Sequence, residues 1–548
     1  MDTPREDGWT RKRPRLLFAL SWIVPLALYV VLASRLIGER VGYEYDEALY
    51  VESAVFLLHG SGAPPFVHDT ASWIKLAGRH WPLMIIPYVG TVKGFVALPL
   101  FAIFGVSAEV ARFAGVLLGG LGIAGLVVLI GSEISPAAGL LVGIVLAIHP
   151  SYLDFTVFDN GGVSVWMGAM GLAALALTNH LRRRSTSSAF LLGIAAGFGV
   201  WARVNVIWLI ASAIVAALFV YGRGAIPKKN HLKALTIGGC CGALPLILYE
   251  VASRLATFRY ISEARQPLSG DRVAQRLRAL AELMISDREQ RGMWWGPPLP
   301  LWEIGVGAAL LAISLFCLFV PIRSGNPTIA RWRRAFAISA AVLTLIMLTS
   351  RLNVSQHHLV AVLPMAVAAL VIFCVELARR RRWAIVPLAA AGTGLAVLWL
   401  GWYVRIEAGL CRTGGKGVFS SALDDVSGYL ASHPVAPERL KILNWGFQNS
   451  LYVLSGGSVH GSEIFWGATR GSSSRGTAWR DEIREGGSFL LFLTPAAPSP
   501  LSAASEGFTE ALKDYSGPRK DTTFYDRSGS PLAALIEIPP TRVPEANE

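Results

Sequence analysis

The sequence predicts a polytopic α-helical membrane protein of about eleven spans, with interfacial helices and a small C-terminal α/β domain. Of its 548 residues, 53% are hydrophobic and 16% are charged, and the mean hydropathy is +0.47. Soluble domains carry about 25% charged residues. The 17 tryptophans suit the aromatic belts that membrane proteins place at the bilayer interface.

The predicted spans follow from the length of the apolar stretches. A helix needs about 20 apolar residues to cross a bilayer, with about 17 as the lower limit. The first stretch lacks a clear small-residue cleavage site, so we interpret it as a membrane helix and not as a cleavable signal. The apolar segment 94–105 is too short to cross, and we expect it to lie in the interface. The predicted spans are 16–37, 109–131, 136–153, 160–180, 187–202, 204–221, 233–252, 301–321, 335–352, 356–378 and 383–404.

The net charge of +13 comes from short basic groups beside apolar spans, which is the pattern of cytoplasmic loops and not of a nucleic-acid-binding surface. If 94–105 crossed the membrane, every basic group after it would lie outside. With 94–105 in the interface, all basic groups and the N-terminus are cytoplasmic. This topology predicts a multi-pass protein of the cell (inner) membrane. The basic groups lie at 11–15, 182–184, 228–233, 331–334 and 379–382.

The same topology places four regions on the outer face: the loop 38–108, a short loop around 154–160, the loop 253–300 and the C-terminal region. Since the cytoplasmic loops are short and basic, we expect any chemistry on the outer face.

Residues 1–405 form the predicted transmembrane domain, and residues 406–548 form the predicted extracytoplasmic α/β domain. In the second domain the apolar stretches predict short strands, and they alternate with helical patterns. It contains no glycine-rich nucleotide loop and no paired histidines or cysteines, so we interpret it as a lid or acceptor-docking unit. The predicted strands are 441–443, 489–493 and 532–538, and the predicted helices are 420–432 and 477–485.

An acidic pair, Asp46 and Glu47, directly follows the first span. Carboxylates at the edge of a bilayer are costly unless they are exposed or used, and a general base needs such a carboxylate near the hydroxyl that it activates. Tyr50 lies four residues after Asp46 and therefore shares its helix face. The alternative is that the acidic residues stabilise the first turn of a helix through its dipole.

Several charged residues elsewhere on the predicted outer face have two interpretations each. Lys93 either binds a phosphate or extends from an interfacial helix towards water, and Arg112 is a weaker candidate. Asp159 is either a helix N-cap or a site residue. Arg272 and Arg276 flank the apolar stripe of a surface helix, where they would bind a donor phosphate or anionic lipid.

The histidines His357 and His358 open a predicted span on the outer side. We expect adjacent histidines to face different sides, which argues against a metal site there. His358 remains a candidate site residue, although most single histidines are structural.

These pieces, in this order, resemble the GT-C glycosyltransferases, in particular the bacterial protein O-mannosyltransferases and the lipid A aminoarabinose transferases. The resemblance covers about residues 1–405. It rests on Tyr45-Asp46-Glu47-Ala48-Leu49-Tyr50, on Gly90-Thr91-Val92-Lys93 followed by Leu98-Pro99-Leu100-Phe101 and Phe104-Gly105, on Arg112 and Asp159, and on His357-His358-Leu359 ahead of Pro364.

The resemblance implies a sugar donor on a polyprenyl or dolichyl phosphate and an acceptor hydroxyl on a lipid, a glycan or a protein. By that resemblance Asp46 is the base, Glu47 supports it, Asp159 is a second acidic site residue and Lys93 stabilises the leaving phosphate. A single displacement would invert the anomeric centre. The stretch after Lys93 is Gly-Phe-Val-Ala, where many relatives have a proline-rich run. Relatives differ in their use of divalent metal. Since no ligand set is visible, we expect no essential cofactor.

Two other function classes remain. A transporter or flippase predicts internal repeats and charged or broken helices at mid-membrane depth, but no convincing repeat is visible. The main charged candidate for such a role, Arg203, falls at a predicted outer turn. A non-catalytic scaffold for envelope assembly predicts that Asp46 and Lys93 are dispensable.

Overall fold

The computed structural model describes residues 13–38, 41–60, 70–320, 327–466, 475–493 and 502–540. The helices in the first half are α1 (Arg13–Gly38), α2 (Tyr45–Leu49), α3 (Glu52–His59), α4 (Val92–Phe104), α5 (Ala108–Glu133), α6 (Pro136–Ile148), α7 (Pro150–Val157), α8 (Val163–Arg183), α9 (Thr186–Ala202), α10 (Val206–Tyr221), α11 (Lys229–Gly242), α12 (Leu244–Ala252) and α13 (Ala256–Glu263). Those in the second half are α14 (Gly270–Leu283), α15 (Arg288–Met293), α16 (Leu301–Phe316), α17 (Pro327–Thr349), α18 (Gln356–Leu359), α19 (Val362–Arg380), α20 (Ile385–Thr413), α21 (Ala422–Ser432), α22 (Gln448–Leu454), α23 (Arg475–Glu485) and α24 (Ala503–Lys513).

The strands are short and few. They are β1 (Trp73–Leu76), β2 (Arg79–Pro82), β3 (Met84–Ile86), β4 (Val89–Gly90), β5 (Leu440–Ile442), β6 (Ser462–Glu463), β7 (Gly487–Phe492), β8 (Lys520–Tyr525) and β9 (Pro531–Ile538).

Within the described ranges, seven helices are long and apolar enough to cross a membrane, namely α1, α5, α8, α10, α17, α19 and α20. Two bent pairs raise the number to nine if each pair is one span: α6 with α7, bent by 65°, and α11 with α12, bent by 62°. Helices α9 and α16 are apolar but shorter. The chain is thus a multi-pass helical protein by length and composition, and the number of eleven spans is not confirmed.

The bends correct two predicted spans, 136–153 and 233–252, which are each interrupted. Pro150 follows the first break and Pro245 lies at the second. Proline lacks an N–H donor and disfavours the helical conformation of the residue before it, so a helix ends or bends there. The first bend also moves Asp154 from the predicted short loop into α7, where it is fully buried.

The long helices pack closely because glycines lie at their contacts. A methyl group added at Gly125 in α5 would lie 2.2 Å from the carbonyl oxygen of Gly171 in α8. One added at Gly197 in α9 would lie 2.0 Å from the carbonyl oxygen of Gly239 in α11. Small residues let helix backbones approach in this way, which is how helices associate where lipid removes the hydrophobic driving force.

The predicted loop 38–108 is an ordered layer at one end of the bundle, although residues 39–40 and 61–69 lie outside the described part. It contains α2, α3, the antiparallel pairs β1–β2 and β3–β4, and α4. The Trp201 indole donates to the carbonyl oxygen of Leu83 (2.8 Å), and the amide of Val204 donates to that of Tyr88 (3.0 Å). These bonds hold the layer against the turn between α9 and α10. Helix α4 has 13 residues, which is too short to cross a bilayer.

The C-terminal region contains a five-stranded sheet in the order β6-β5-β7-β9-β8. Strand β5 pairs in parallel with β6 and β7, and β9 pairs antiparallel with β7 and β8. The predicted strands 441–443, 489–493 and 532–538 coincide with β5, β7 and β9, and the predicted helices coincide with α21 and α23. The sequence prediction did not include β6, β8, α22 or α24.

Candidate functional site

Five segments that are distant in sequence meet at the end of the bundle that carries α2. They are α2 itself, the first turn of α4, the turn 159–162 before α8, the turn 203–205 before α10, and α18. The basic end of α8, at Arg182 and Arg183, lies at the opposite end of that helix. The charged residues described below are therefore gathered at one end of the helical bundle.

Part of the acidic motif caps helix α2. The side chain of Glu44 accepts from the amides of Asp46 (2.8 Å) and Glu47 (3.2 Å), while Glu47 accepts from the amide of Glu44 (3.3 Å). This reciprocal pair is a capping box. The helix-terminus interpretation thus holds for Glu47. The side chain of Asp46 takes no part in this capping box.

Glu47 is also bound by Arg112. The Arg112 guanidinium donates to both carboxylate oxygens, at 3.2 and 2.8 Å, and to the carbonyl oxygens of Val41 (3.0 Å) and Gly42 (2.8 Å). Both side chains are 1% exposed. Because Arg112 makes four hydrogen bonds within the protein, this geometry favours a structural role for it over the predicted donor-phosphate contact.

Asp46 is the acidic residue of the motif that interacts electrostatically with other segments of the cluster. Burial raises the pKa of Asp46 to about 6, with a further increase from Glu289 and opposing contributions from His357 and Arg203. Three side chains from other segments therefore act on Asp46. A carboxylate whose pKa lies near neutrality is suited to accept a proton.

Lys93 and Asp159 form a buried ion pair. The Lys93 Nζ atom lies 2.8 Å from Asp159 Oδ2, and the two side chains are 1% and 0% exposed. Burial excludes the interpretation of Lys93 as an interfacial lysine that extends to water. Asp159 also accepts from the Ser164 amide (2.6 Å) and hydroxyl (2.7 Å), so it fixes the start of α8 as well as pairing with Lys93.

The turn after Asp159 requires glycine. Gly161 and Gly162 have φ angles of +72° and +68°, which side-chain-bearing residues rarely adopt. A methyl group at Gly161 would lie 2.4 Å from the ring of His357, and one at Gly162 would lie 3.4 Å from the ring of Tyr50. The two glycines therefore allow α18 and α2 to approach the same turn.

Arg203 is a charged residue of this cluster that the sequence prediction did not assign to the site. It is 1% exposed, and its Nε and Nη1 atoms have no hydrogen-bond partner among the described residues. Its guanidinium lies 5.2 Å from the ring of Trp166, and it interacts electrostatically with Tyr50, Tyr88 and Asp159. Burial lowers the pKa of Arg203. A buried cation with unsatisfied donors is costly, and a bound anion would remove that cost.

Tyr50 and Tyr88 both interact electrostatically with Arg203. Tyr50 is 3% exposed, and burial together with Asp46 raises its pKa well above the usual value. The ring of Tyr88 stacks on that of Tyr260 with centroids 5.1 Å apart. Both phenols are therefore neutral hydrogen-bond donors and acceptors.

The two histidines of α18 correct the expectation that they face different sides. Their ring centroids are 4.3 Å apart, because Ser355 holds both rings at the first turn of the helix. His357 contacts Glu289, with Nδ1 3.3 Å from Oε2. Burial lowers the pKa of His358 well below its usual value. His358 therefore completes a cap as a neutral ring, and His357 beside it interacts electrostatically with Asp46.

The two arginines of α14 are not brought into this cluster. The Arg276 guanidinium donates to the carbonyl oxygens of Met347, Leu348, Ser350 and Leu352, at 2.6 to 3.2 Å. It therefore satisfies the C-terminal end of α17, where carbonyl groups lack helical partners. Arg272 donates to the carbonyl oxygen of Pro267 (2.9 Å) at the protein surface.

The cluster thus combines a carboxylate suited to accept a proton, two buried cations and two neutral phenols. No group of three or more histidine, cysteine, aspartate or glutamate side chains arranged to hold a metal ion occurs in the described segments. The arrangement can bind a phosphate at the cations and take a proton from a hydroxyl at Asp46.

Part of the chain matches a known protein family. Residues 92–249 match the family described as dolichyl-phosphate-mannose-protein mannosyltransferase. The match covers less than a third of the chain and contains Lys93, Asp159 and Arg203 but not Asp46. No curated protein matches the chain by sequence.

Two kinds of solved structure are similar to the whole chain. ArnT from Cupriavidus metallidurans bound to undecaprenyl phosphate has a TM-score of 0.60 and 14% identity, over 94% of this chain and 98% of that one. The same protein in the apo state has a TM-score of 0.57. The Archaeoglobus fulgidus oligosaccharyltransferase in the apo form has a TM-score of 0.50 and 12% identity, over 94% of this chain and 70% of that one. Over most of its length, therefore, this chain shares the fold of ArnT and of the oligosaccharyltransferase.

Proposed function

We propose that this protein transfers a sugar from a polyprenyl-phosphate donor to an acceptor hydroxyl of a lipid, a glycan or a protein, at the predicted outer face of the inner membrane. The observation that carries the proposal is the buried, unsatisfied guanidinium of Arg203 beside the Lys93–Asp159 pair and Asp46. A phosphate bound at the cations would place a departing anion within reach of a carboxylate base.

The proposed reaction is a single displacement. The acceptor oxygen attacks the anomeric carbon as the bond between that carbon and the phosphate oxygen breaks, and the acceptor proton passes to Asp46. The electron pair of the broken bond leaves on the lipid phosphate. Inversion at the anomeric carbon follows because the attack and the departure occur on opposite faces.

Lys93 and Arg203 would stabilise the negative charge that grows on the phosphate in the transition state, in a buried site where such an interaction is strong. Asp159 holds Lys93 in place and would share it with the phosphate. Tyr50 would donate a hydrogen bond to the donor. The proposal replaces Arg112, Arg272 and Arg276 by Arg203 in the phosphate contact, and it includes no metal ion.

The test is a transfer assay on the full chain in lipid nanodiscs. Wild type is given a panel of undecaprenyl-phosphate-linked hexoses and pentoses with membrane extract as the acceptor source, and is compared with Asp46→Asn. Asparagine keeps the size and removes the charge. We expect a loss of at least about 10²-fold, the typical contribution of a general base. The matched control is Asp425→Asn, an exposed aspartate in α21.

Equal transfer by wild type and Asp46→Asn would remove Asp46 from the mechanism. The transporter alternative has its own readout. If wild type in liposomes moves the lipid-linked sugar across the bilayer and forms no glycosidic product with any donor, the enzymatic proposal is wrong.

A further inference from the structure

The contact between the acidic helix and the C-terminal region contains a second group of functional side chains. Helices α2 and α3 pack against α22. The Tyr45 hydroxyl donates to Glu463 Oε1 (3.0 Å), and the Trp466 indole donates to Glu463 Oε2 (2.8 Å). The ring of Tyr45 lies against that of Trp445, with centroids 4.9 Å apart. Two aromatic side chains thus donate to one carboxylate, and a third packs on one of them.

In a second carboxylate of this group, one oxygen lacks a hydrogen-bond partner among the described residues. Glu52 is 6% exposed, and its Oε2 atom has no hydrogen-bond partner in the described segments. Burial raises the pKa of Glu52, and its electrostatic interaction with Glu463 raises it further. Neither forms an ion pair with a described residue. A buried carboxyl group without a partner is unfavourable, and a ligand that offers hydroxyl groups would satisfy it.

The position of the group relates it to Asp46. Tyr45 directly precedes Asp46 in α2, and its hydroxyl interacts electrostatically with Asp46, Glu52 and Glu463. Tyr45 therefore contacts Glu463 through its hydroxyl and is the sequence neighbour of the proposed base. A molecule bound at this group could present one of its own hydroxyls to Asp46.

The chemistry of the group fits a pyranose ring. The face of such a ring carries C–H groups that pack on an aromatic side chain, and its rim carries hydroxyls that both donate and accept hydrogen bonds. A carboxylate such as Glu463 accepts from hydroxyls, and a protonated carboxyl such as Glu52 can also donate. Trp466 is 47% exposed and offers a face for stacking. A few polar groups among aromatic side chains are typical of small-molecule sites.

We propose that Tyr45, Glu52, Trp445, Glu463 and Trp466 form an acceptor subsite that binds a neutral sugar. This inference rests on the proposed function and assigns its acceptor to the carbohydrate class. It gives the C-terminal region a direct part in substrate binding, because Trp445, Glu463 and Trp466 belong to that region.

The test is saturation-transfer NMR on the full chain in nanodiscs, with the methyl glycosides of glucose, galactose, mannose and N-acetylglucosamine as probes. We expect signal from at least one glycoside, a loss of that signal of tenfold or more in Trp466→Ala, and retention in Trp383→Ala. Trp383 is 71% exposed and lies between α19 and α20. Trp466→Phe and Glu463→Gln are conservative variants that test whether a loss of signal comes from misfolding. We expect a partial loss of the glycoside signal in Trp466→Phe and a strong loss in Glu463→Gln.

Binding of undecaprenyl phosphate is measured on the same samples, so that the two proposals fail separately. If undecaprenyl phosphate binds and no glycoside gives a signal, the acceptor subsite is wrong and the proposed function stands. A glycoside signal that persists in Trp466→Ala and in Glu463→Gln would also overturn the subsite. If serine- or threonine-containing peptides bind and no glycoside does, the acceptor class is wrong. If undecaprenyl phosphate does not bind, the proposed function itself fails.

Discussion

Lys93 and Asp159 are joined by a 2.8 Å ion pair between the first turn of α4 and the residue that begins the turn into α8. The pair connects two segments that are 66 positions apart and fixes both at the proposed phosphate site. Its position is unfavourable for stability alone, because removing two charges from water offsets most of their mutual attraction. The pair is better explained by ligand binding, in which a phosphate would compete with Asp159 for Lys93, than by a contribution to stability.

The first prediction concerns that pair. We expect Lys93→Met to destabilise the protein by about 3–5 kcal/mol, because it leaves a buried carboxylate unpaired. The double variant Lys93→Met, Asp159→Asn removes both charges while the asparagine still accepts from the Ser164 amide, so it should regain much of that stability. It should nevertheless remain inactive. Thermal unfolding midpoints and the transfer assay give the two readouts.

The control for the pair is Asp514→Asn, which breaks the contact of Asp514 with Arg480, whose side chains are 64% and 56% exposed. Exposed pairs contribute about 0–1 kcal/mol, so little change is expected. If the stability losses of Lys93→Met and Asp159→Asn simply add in the double variant, the two residues are not energetically coupled and the prediction is wrong.

Much of this site was predictable from the sequence, and the reasons are specific. Asp46 is a carboxylate directly after a span, and Lys93 and Asp159 are charged residues at the ends of apolar segments. A charge in such a position is costly, which makes it a candidate for function. Arg203 has the same property, but a single arginine between two apolar stretches also matches an ordinary turn. The β3–β4 layer packs on that turn in the folded chain, where Arg203 is buried and two of its nitrogen atoms have no hydrogen-bond partner among the described residues.

The cations that lie outside the proposed phosphate site share a different property. Arg112 and Arg276 satisfy backbone carbonyl groups that a change of chain direction leaves exposed. Sequence spacing does not show which carbonyls lack partners, since that depends on where helices end and on what lies next to them. The bends at Pro150 and Pro245, by contrast, follow a local rule and were predictable from proline itself.

The second prediction concerns Arg203. We expect Arg203→Met to weaken undecaprenyl phosphate binding by roughly 10- to 100-fold, the effect of losing hydrogen bonds to a charged group at about 1.5–3 kcal/mol. The unfolding midpoint should stay unchanged or rise, because the variant removes a buried charge with unsatisfied donors. Arg203→Lys should be intermediate, since lysine lacks the planar fork of donors. Binding is measured by titration of the lipid into protein in nanodiscs.

Arg265→Met is the matched control, because Arg265 is exposed in the predicted outer loop 253–300. Full phosphate affinity in Arg203→Met, with the protein folded, would exclude Arg203 from the phosphate site.

The third prediction separates stability from binding at α14. Arg276→Met should lower the free energy of unfolding by about 2–4 kcal/mol, because several carbonyl groups at the end of α17 lose a charged donor. It should leave the undecaprenyl phosphate affinity of the folded fraction unchanged. Arg272→Met should alter neither quantity measurably. A selective loss of phosphate affinity in either variant would restore these arginines to the donor site.

The fourth prediction is the pH dependence of transfer. Burial raises the pKa of Asp46 to about 6, so in the free enzyme the base is largely protonated below that pH. We expect kcat/KM to rise between about pH 5 and about pH 7 and then to level off. The sign is opposite for stability. A raised pKa in the folded state means that the contribution of Asp46 to stability is complete below its unfolded value and is lost as the pH rises through about 6.

His357 provides the variant that tests this assignment. Its interaction with Asp46 lowers the pKa of that carboxyl, against the larger effect of burial. His357→Gln should therefore shift the rising limb of the pH profile to higher pH without abolishing transfer. Lys513→Gln, at the exposed end of α24, is the control and should leave the limb in place. A wild-type profile that is flat between about pH 5 and about pH 8, with active protein throughout, would mean that the group which accepts the proton is not Asp46.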